Sequence, residues 1–134
     1  MDTISKVEKR KEQEKIYLNW DDINKYVDEA INVLQWDKIN YIYGIPRGGL
    51  IIATLLSYKI NKPLLTDICM LNDCSDVLLV DDIADSGKTL KEYMSGREFA
   101  QIYTICYKEK SIIQPWYNLE VEENDWIVFP WELE

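Results

Sequence analysis

Apolar positions recur along this chain first at helical and then at strand spacing. Ile23, Tyr26, Val27, Ala30, Ile31 and Leu34 fall on one face of a helix that Asn19 or Asp21 can cap and that runs to about residue 36. Tyr41-Ile42-Tyr43 is a short β-prone run stopped by Gly44, and residues 50–60 are apolar and long enough for a helix. Residues 63–70 suit a second strand. Val77-Leu78-Leu79-Val80 is an unbroken apolar run, as expected of a parallel strand covered on both faces. Residues 86–95 read as the helix that follows it, and residues 102–106 as another strand. The tail over 121–131 is β-like and aromatic, with Pro130 inside it.

The order αβαββαβ predicts an α/β fold, a mostly parallel twisted sheet flanked by helices, with a small aromatic appendage at the C-terminal end. Residues 1–15 are nearly all charged or polar and read as a tail, and residues 16–134 as one domain around one core. In such sheets ligands sit at the carboxyl ends of the strands. Two loops fall there, residues 44–49 and 81–89.

The second loop reads Asp81-Asp82-Ile83-Ala84-Asp85-Ser86-Gly87-Lys88-Thr89. Its latter half suits a phosphate: a helix start offers unpaired N–H groups, Gly87 lets the backbone approach, and Ser86 and Thr89 add hydroxyl donors. Its first half repels a phosphate. Asp81 and Asp82 suit sugar hydroxyls, or a hard cation such as Mg²⁺. A Walker A loop needs Gly where Asp82 stands, so that motif fails. The first loop, Gly44-Ile45-Pro46-Arg47-Gly48-Gly49, pairs a turn that exposes N–H groups with a guanidinium fork suited to a diphosphate.

Composition narrows the chemistry. There is no His, which excludes Ser-His triads, His general acid/base chemistry and His-ligated metals. The net charge of -9 argues against nucleic-acid binding. Cys69, Cys74 and Cys106 fit no zinc spacing; the first and last sit in apolar runs and read as buried, whereas Cys74 lies among polar residues and reads as exposed. The sparse, odd set suggests a reducing compartment. Residues 1–14 do not resemble a signal peptide, and no apolar run approaches the ~20 residues of a membrane span, so a cytoplasmic protein without membrane partners is expected.

Residues 77–90 resemble the 5-phosphoribosyl-1-pyrophosphate (PRPP) signature of the type I phosphoribosyltransferases: an apolar strand, two acids, two spacers, Asp, then a hydroxyl-and-Gly loop. The resemblance implies that Asp81, Asp82, Ala84, Asp85, Ser86, Gly87, Lys88 and Thr89 hold the ribose and 5-phosphate. It also implies Mg²⁺ near Asp82 and Asp81, and Asp85 close to the reacting base as catalytic residue. Arg47-Gly48-Gly49 resembles the family's pyrophosphate loop. Residues 125–132, Asp-Trp-Ile-Val-Phe-Pro-Trp-Glu, resemble the C-terminal hood of the xanthine-guanine members, which would span about residues 108–134 here. By that match Trp126 stacks on the base, the Ile127 backbone reads its edge, and Glu132 stands at the acidic position that meets an exocyclic amino group. Lys108 is equally well a donor to the purine 6-oxo group and an ordinary surface lysine.

The implied activity is Mg²⁺-dependent transfer from PRPP to a 6-oxopurine in purine salvage, by a homodimer or homotetramer. One departure stands out. The family carries a long mobile loop before the strand at Val77, and here only Leu71-Asn72-Asp73-Cys74-Ser75-Asp76 lies there, with no basic or aromatic residue. The shortened loop leaves open a non-catalytic PRPP or nucleotide sensor on the same fold.

Overall fold

The computed structural model describes residues 14–68 and 73–132. The expected tail, apart from Glu14 and Lys15, lies outside them, as do Cys69 and the first two residues of the shortened loop. In chain order the elements are β1 (Lys15–Tyr17), α1 (Trp20–Val33), a 3₁₀ turn (Trp36–Lys38), β2 (Tyr41–Gly44), α2 (Gly48–Ile60), β3 (Leu64–Leu65), β4 (Val77–Ala84), α3 (Lys88–Met94), β5 (Gln101–Lys108), β6 (Trp116–Val121) and β7 (Trp126–Val128). No helix of the described residues is long and apolar enough to cross a membrane.

Asn19 and Asp22 close a capping box at the start of α1. Asp22 donates its N–H to Asn19 Oδ1 at 2.8 Å, and Asn19 donates its own to Asp22 Oδ2 at 2.9 Å. Of the two caps the sequence offered, Asn19 is the one used. The buried face of α1 is Ile23, Val27 and Ala30, at the spacing the pattern predicted.

Five strands form a sheet in the order β3-β2-β4-β5-β6, every neighbouring pair parallel. Alternation along β4 divides the core. Leu78 and Val80 face α1 and α2, joining Val27, Ile52 and Leu56; Val77 and Leu79 face the other way, joining Leu90 and Tyr107. Both faces are therefore covered, which is why the run carries no polar residue before Asp81. Asn118 on β6 docks α1, donating through Nδ2 to Tyr26 O at 2.8 Å while Tyr103 Oη donates to its Oδ1 at 2.6 Å.

Several expectations change. Cys74 is buried at 3% exposure rather than exposed, because its side chain turns under the sheet onto Val77 and Leu79 although its chain neighbours are polar. Of the strand expected over residues 63–70, the described part to residue 68 is strand only at Leu64–Leu65. β6 begins at Trp116, five residues before the tail was expected to turn β-like, and it returns parallel to β5 through residues 109–115 alone. Lys15, counted with the tail, opens β1, which pairs in parallel with β7 and clamps the C-terminal aromatic segment. Trp126 N–H donates to Glu14 O at 2.8 Å and Leu18 N–H to Val128 O at 3.0 Å.

Candidate active site

The chain leaves β2 toward β3 on one side and returns to β4 on the other, so the strand order reverses between β2 and β4. Such a switch point opens a crevice at the strand ends. β2 stops at Gly44 opposite Val80, whereas β4 continues to Ala84 along β5 alone. Asp81 and Asp82 thus emerge where β4 has lost one partner, and the loop after β2 fills part of the gap, with Ile45 N–H donating to Val80 O at 2.8 Å.

The two acid residues are largely withdrawn from water. Asp81 Oδ1 accepts the Asp82 N–H at 2.9 Å, and Asp82 Oδ1 the Ile83 N–H at 2.8 Å. Among the described residues no lysine or arginine forms an ion pair with either. Burial, reinforced by the neighbouring Asp82 charge, pushes the Asp81 carboxyl up to about 8; burial likewise raises that of Asp82. A carboxylate pair held this way favours any ligand that supplies positive charge or hydroxyl donors.

The glycine loop closes directly onto this pair. The Pro46–Arg47 peptide is cis. A methyl group on Gly48 would overlap Asp82 Oδ2, and one on Gly49 would strike the Val80 carbonyl and the Asp81 Cα. At Gly49 the obstacle is main chain that cannot turn aside, whereas at Gly48 a side chain would force the Asp82 carboxylate out of its place.

Three cavities meet at Asp82. One of about 610 Å³ lies between Arg47, Gly48, Ile51, Trp131 and Glu132. A second, of about 220 Å³, follows the loop from Asp81 through Asp85 and Ser86 to Thr89 and Leu90. The third, of about 180 Å³, is enclosed by Asp85, Lys108, Trp126, Ile127, Phe129 and Glu132. Gly87 sits at φ +83° and starts α3, whose first-turn amides have no intrahelical partner. Ser86 Oγ accepts the Lys88 N–H at 3.3 Å. Ala84 is buried at 1% exposure beneath the loop, packed with Leu90, and Gly49 is buried behind Gly48.

Asp85 stands half-exposed between the second and third cavities, with a lysine near each oxygen. Lys108 Nζ lies 3.6 Å from Oδ2 and Lys110 Nζ 3.2 Å from Oδ1. Lys108 is no surface lysine: it is 6% exposed, and its ammonium donates to Glu123 O at 2.9 Å and Asp125 O at 3.0 Å. It therefore holds the turn between β6 and β7. Glu132 Oε1 accepts the Phe129 N–H at 2.9 Å, which folds the end of the aromatic segment back over Asp82. Trp131 stacks on Phe129 with centroids 4.9 Å apart, and Trp20 tilts against it at 5.8 Å. Trp126 is 56% exposed at the rim of the smallest cavity.

Sequence reasoning passed over Lys110, Ile51, Phe129 and the wall role of Trp131. Only the Pro-Trp-acid string hinted at the last. Among the described residues no group of three or more acidic or thiol side chains is placed to hold a metal ion. Asp81 and Asp82 supply two hard oxygen donors, which fits Mg²⁺, an ion commonly held by one or two carboxylates with substrate phosphates and water completing the shell.

No family model matches the chain. The curated xanthine-guanine phosphoribosyltransferase of Chromohalobacter salexigens is 27% identical over an alignment 136 positions long, gaps included, that covers 87% of this chain and 83% of the relative. The crystal structure of the purine phosphoribosyltransferase from Pyrococcus horikoshii Ot3 superposes with a TM-score of 0.78 at 31% identity, over 90% of this chain and 96% of that one. The chain belongs to the type I phosphoribosyltransferases. A hypothetical protein from Neisseria gonorrhoeae, solved with bound ppGpp, shares the fold at 19% identity, with a TM-score of 0.70 over 91% of each chain. The acid pair, the glycine loop and the aromatic segment of this phosphoribosyltransferase all lie within one crevice at the switch point.

Proposed function

We propose that this phosphoribosyltransferase carries out purine salvage, joining a 6-oxopurine (guanine, xanthine or hypoxanthine) to PRPP to give a nucleoside monophosphate and pyrophosphate. The observation that carries the reading is the convergence of three cavities of different chemistry on Asp82, with Asp85 at the border of two of them. The cavity at Arg47 and Gly48 suits a diphosphate, the loop from Ser86 to Thr89 a phosphate, and the small aromatic-walled cavity a single flat heterocycle.

In the reaction the bond from the anomeric carbon to the diphosphate oxygen breaks and a bond to a ring nitrogen of the base forms. Positive charge develops on the sugar as pyrophosphate leaves, so positioning and charge stabilisation carry the catalysis. Asp81 and Asp82 would orient the ribose hydroxyls, and Arg47 with the Gly48 amide the leaving diphosphate. When bound beside the acid pair, Mg²⁺ would neutralise the diphosphate charge. Asp85 would take a proton from the base at N7, or steady positive charge there, as general base. Trp126 would stack on the base and Glu132 meet an exocyclic amino group. Lys108 supports the 6-oxo contact with the one ammonium hydrogen that Glu123 and Asp125 leave to it.

A second reading, a non-catalytic PRPP or nucleotide sensor, is favoured by the shortened loop before β4. One experiment separates the two. The protein is mixed with PRPP, Mg²⁺ and each of the three bases, and monophosphate is measured by chromatography. Product from any of them supports the enzyme. A rise in melting temperature with PRPP and no product supports the sensor, and neither response refutes both.

A further inference from the structure

The connection from β5 to β6 runs antiparallel to both strands over residues 109–115 and crosses the end of the phosphate-type loop on its way. It is pinned there at several points. Ser111 N–H donates to Lys108 O at 2.9 Å, Ile112 N–H donates to Ser86 O at 2.9 Å, and Ser111 Oγ donates to Ile113 O at 2.6 Å. The approach is close enough that a methyl on Gly87 would come within 2.6 Å of Ser111 Oγ and 2.9 Å of the Ile112 nitrogen. The backbone that carries Lys110 is thus fastened to the loop that carries Asp85, although 25 or so positions separate them in the chain.

We propose that Lys110 is a positioning residue for Asp85, carried on a strap that braces the phosphate-type loop. This rests on the phosphoribosyltransferase reading of the site. Lys108 cannot follow the Asp85 carboxylate, because two carbonyls hold its ammonium. Lys110 can: its stem is flexible, its side chain 44% exposed, and its ion pair is with Asp85 Oδ1 at 3.2 Å. Lys108 offers one oxygen of this half-exposed carboxylate only a fixed charge at 3.6 Å, so Lys110, the nearer at 3.2 Å to the other oxygen, sets its plane.

In the unliganded protein such an exposed pair contributes little. Filling the adjoining cavities with base and sugar phosphate displaces water from around Asp85, and the attraction strengthens as the local dielectric falls. The contribution of Lys110 therefore belongs to the ligand-filled site and to turnover, not to capture of PRPP. It also supplies a cationic brace on a site whose shortened loop brings none, at least over residues 73–76.

The test is a cycle of wild type, K110Q, D85N and the double variant, with K110R as rescue. K110Q is expected to lower kcat by about fivefold, the scale of an exposed ion pair, with KM for PRPP unchanged. K110R should restore most of kcat, and K110Q should have no further effect in the D85N background. Affinity for GMP, measured by calorimetry on all four proteins, should show the same coupling. Wild-type kcat in K110Q, or an equal loss with and without Asp85, overturns the proposal. So does a loss confined to KM for PRPP, which would make Lys110 a phosphate contact. If the wild type yields no monophosphate from any base, the catalytic reading fails separately, and the calorimetric coupling alone decides the positioning role. Absence of GMP binding in every variant overturns both.

Discussion

Replacing Asp81 by Asn removes one of two adjacent carboxylates that the fold holds away from water without a countercharge. Asp81 rises from an ordinary value of 3.8 to about 8, so its folded form binds a proton more tightly than the unfolded chain across that interval. Stability then falls as pH increases through the same window: it is complete below about 4 and lost by about 8. Roughly four units at 1.36 kcal/mol each sets a ceiling of about 5 kcal/mol. Relaxation and water entry reduce what is realised, and about 2 kcal/mol is the expected effect. For a chain of this length that corresponds to roughly 8 °C in melting temperature. The measurement is a melting curve for wild type and D81N from pH 4 to 9, without divalent ions. The two should melt together near pH 4 and separate as pH rises, with D81N the more stable by about 8 °C at pH 8.5. Taking the difference between variants cancels the groups that do not touch Asp81, and what remains belongs to the Asp81–Asp82 pair. Mg²⁺ with PRPP should raise the wild type more than D81N, because the ionised pair is what they bind. A temperature difference that stays constant across the pH range would refute the argument.

Three further outcomes follow from the geometry. D85N should lower kcat by roughly 100-fold or more, the usual contribution of a general base, while PRPP affinity measured by calorimetry holds. G49A should destabilise the fold by about 1–3 kcal/mol in a urea titration, since the added methyl meets main-chain atoms of Val80 and Asp81 that cannot turn aside. W126A should weaken guanine binding by about 1–3 kcal/mol, the worth of one base stacked on an aromatic ring, visible as a raised KM for guanine with that for PRPP unchanged.

The chemistry of the crevice was legible because it is written in short local strings. An apolar run ending in Asp81-Asp82 reads as a covered strand that surfaces at its carboxyl end, and Arg47-Gly48-Gly49 as backbone that exposes amides, although the two glycines open helix α2 rather than belong to the turn before it. Helix α1 was legible for the same reason: its apolar period and its cap lie within one stretch of chain.

What depended on partners distant in sequence was not legible. Nothing near Cys74 in the chain reveals that it joins the cluster of Tyr43, Leu90 and Tyr107, and nothing near Lys15 reveals that β7 awaits it. Lys110 reads as a solvated charge until the return to β6 lays it against Asp85. The amino-acid order by itself determined which groups this protein can bring to the crevice, since donors, acids and backbone freedom are properties of single residues and their neighbours. Only the tertiary structure decided which of those groups meet, because the reversal of strand order between β2 and β4 creates the crevice, and strand order is a relation among segments that no local pattern encodes.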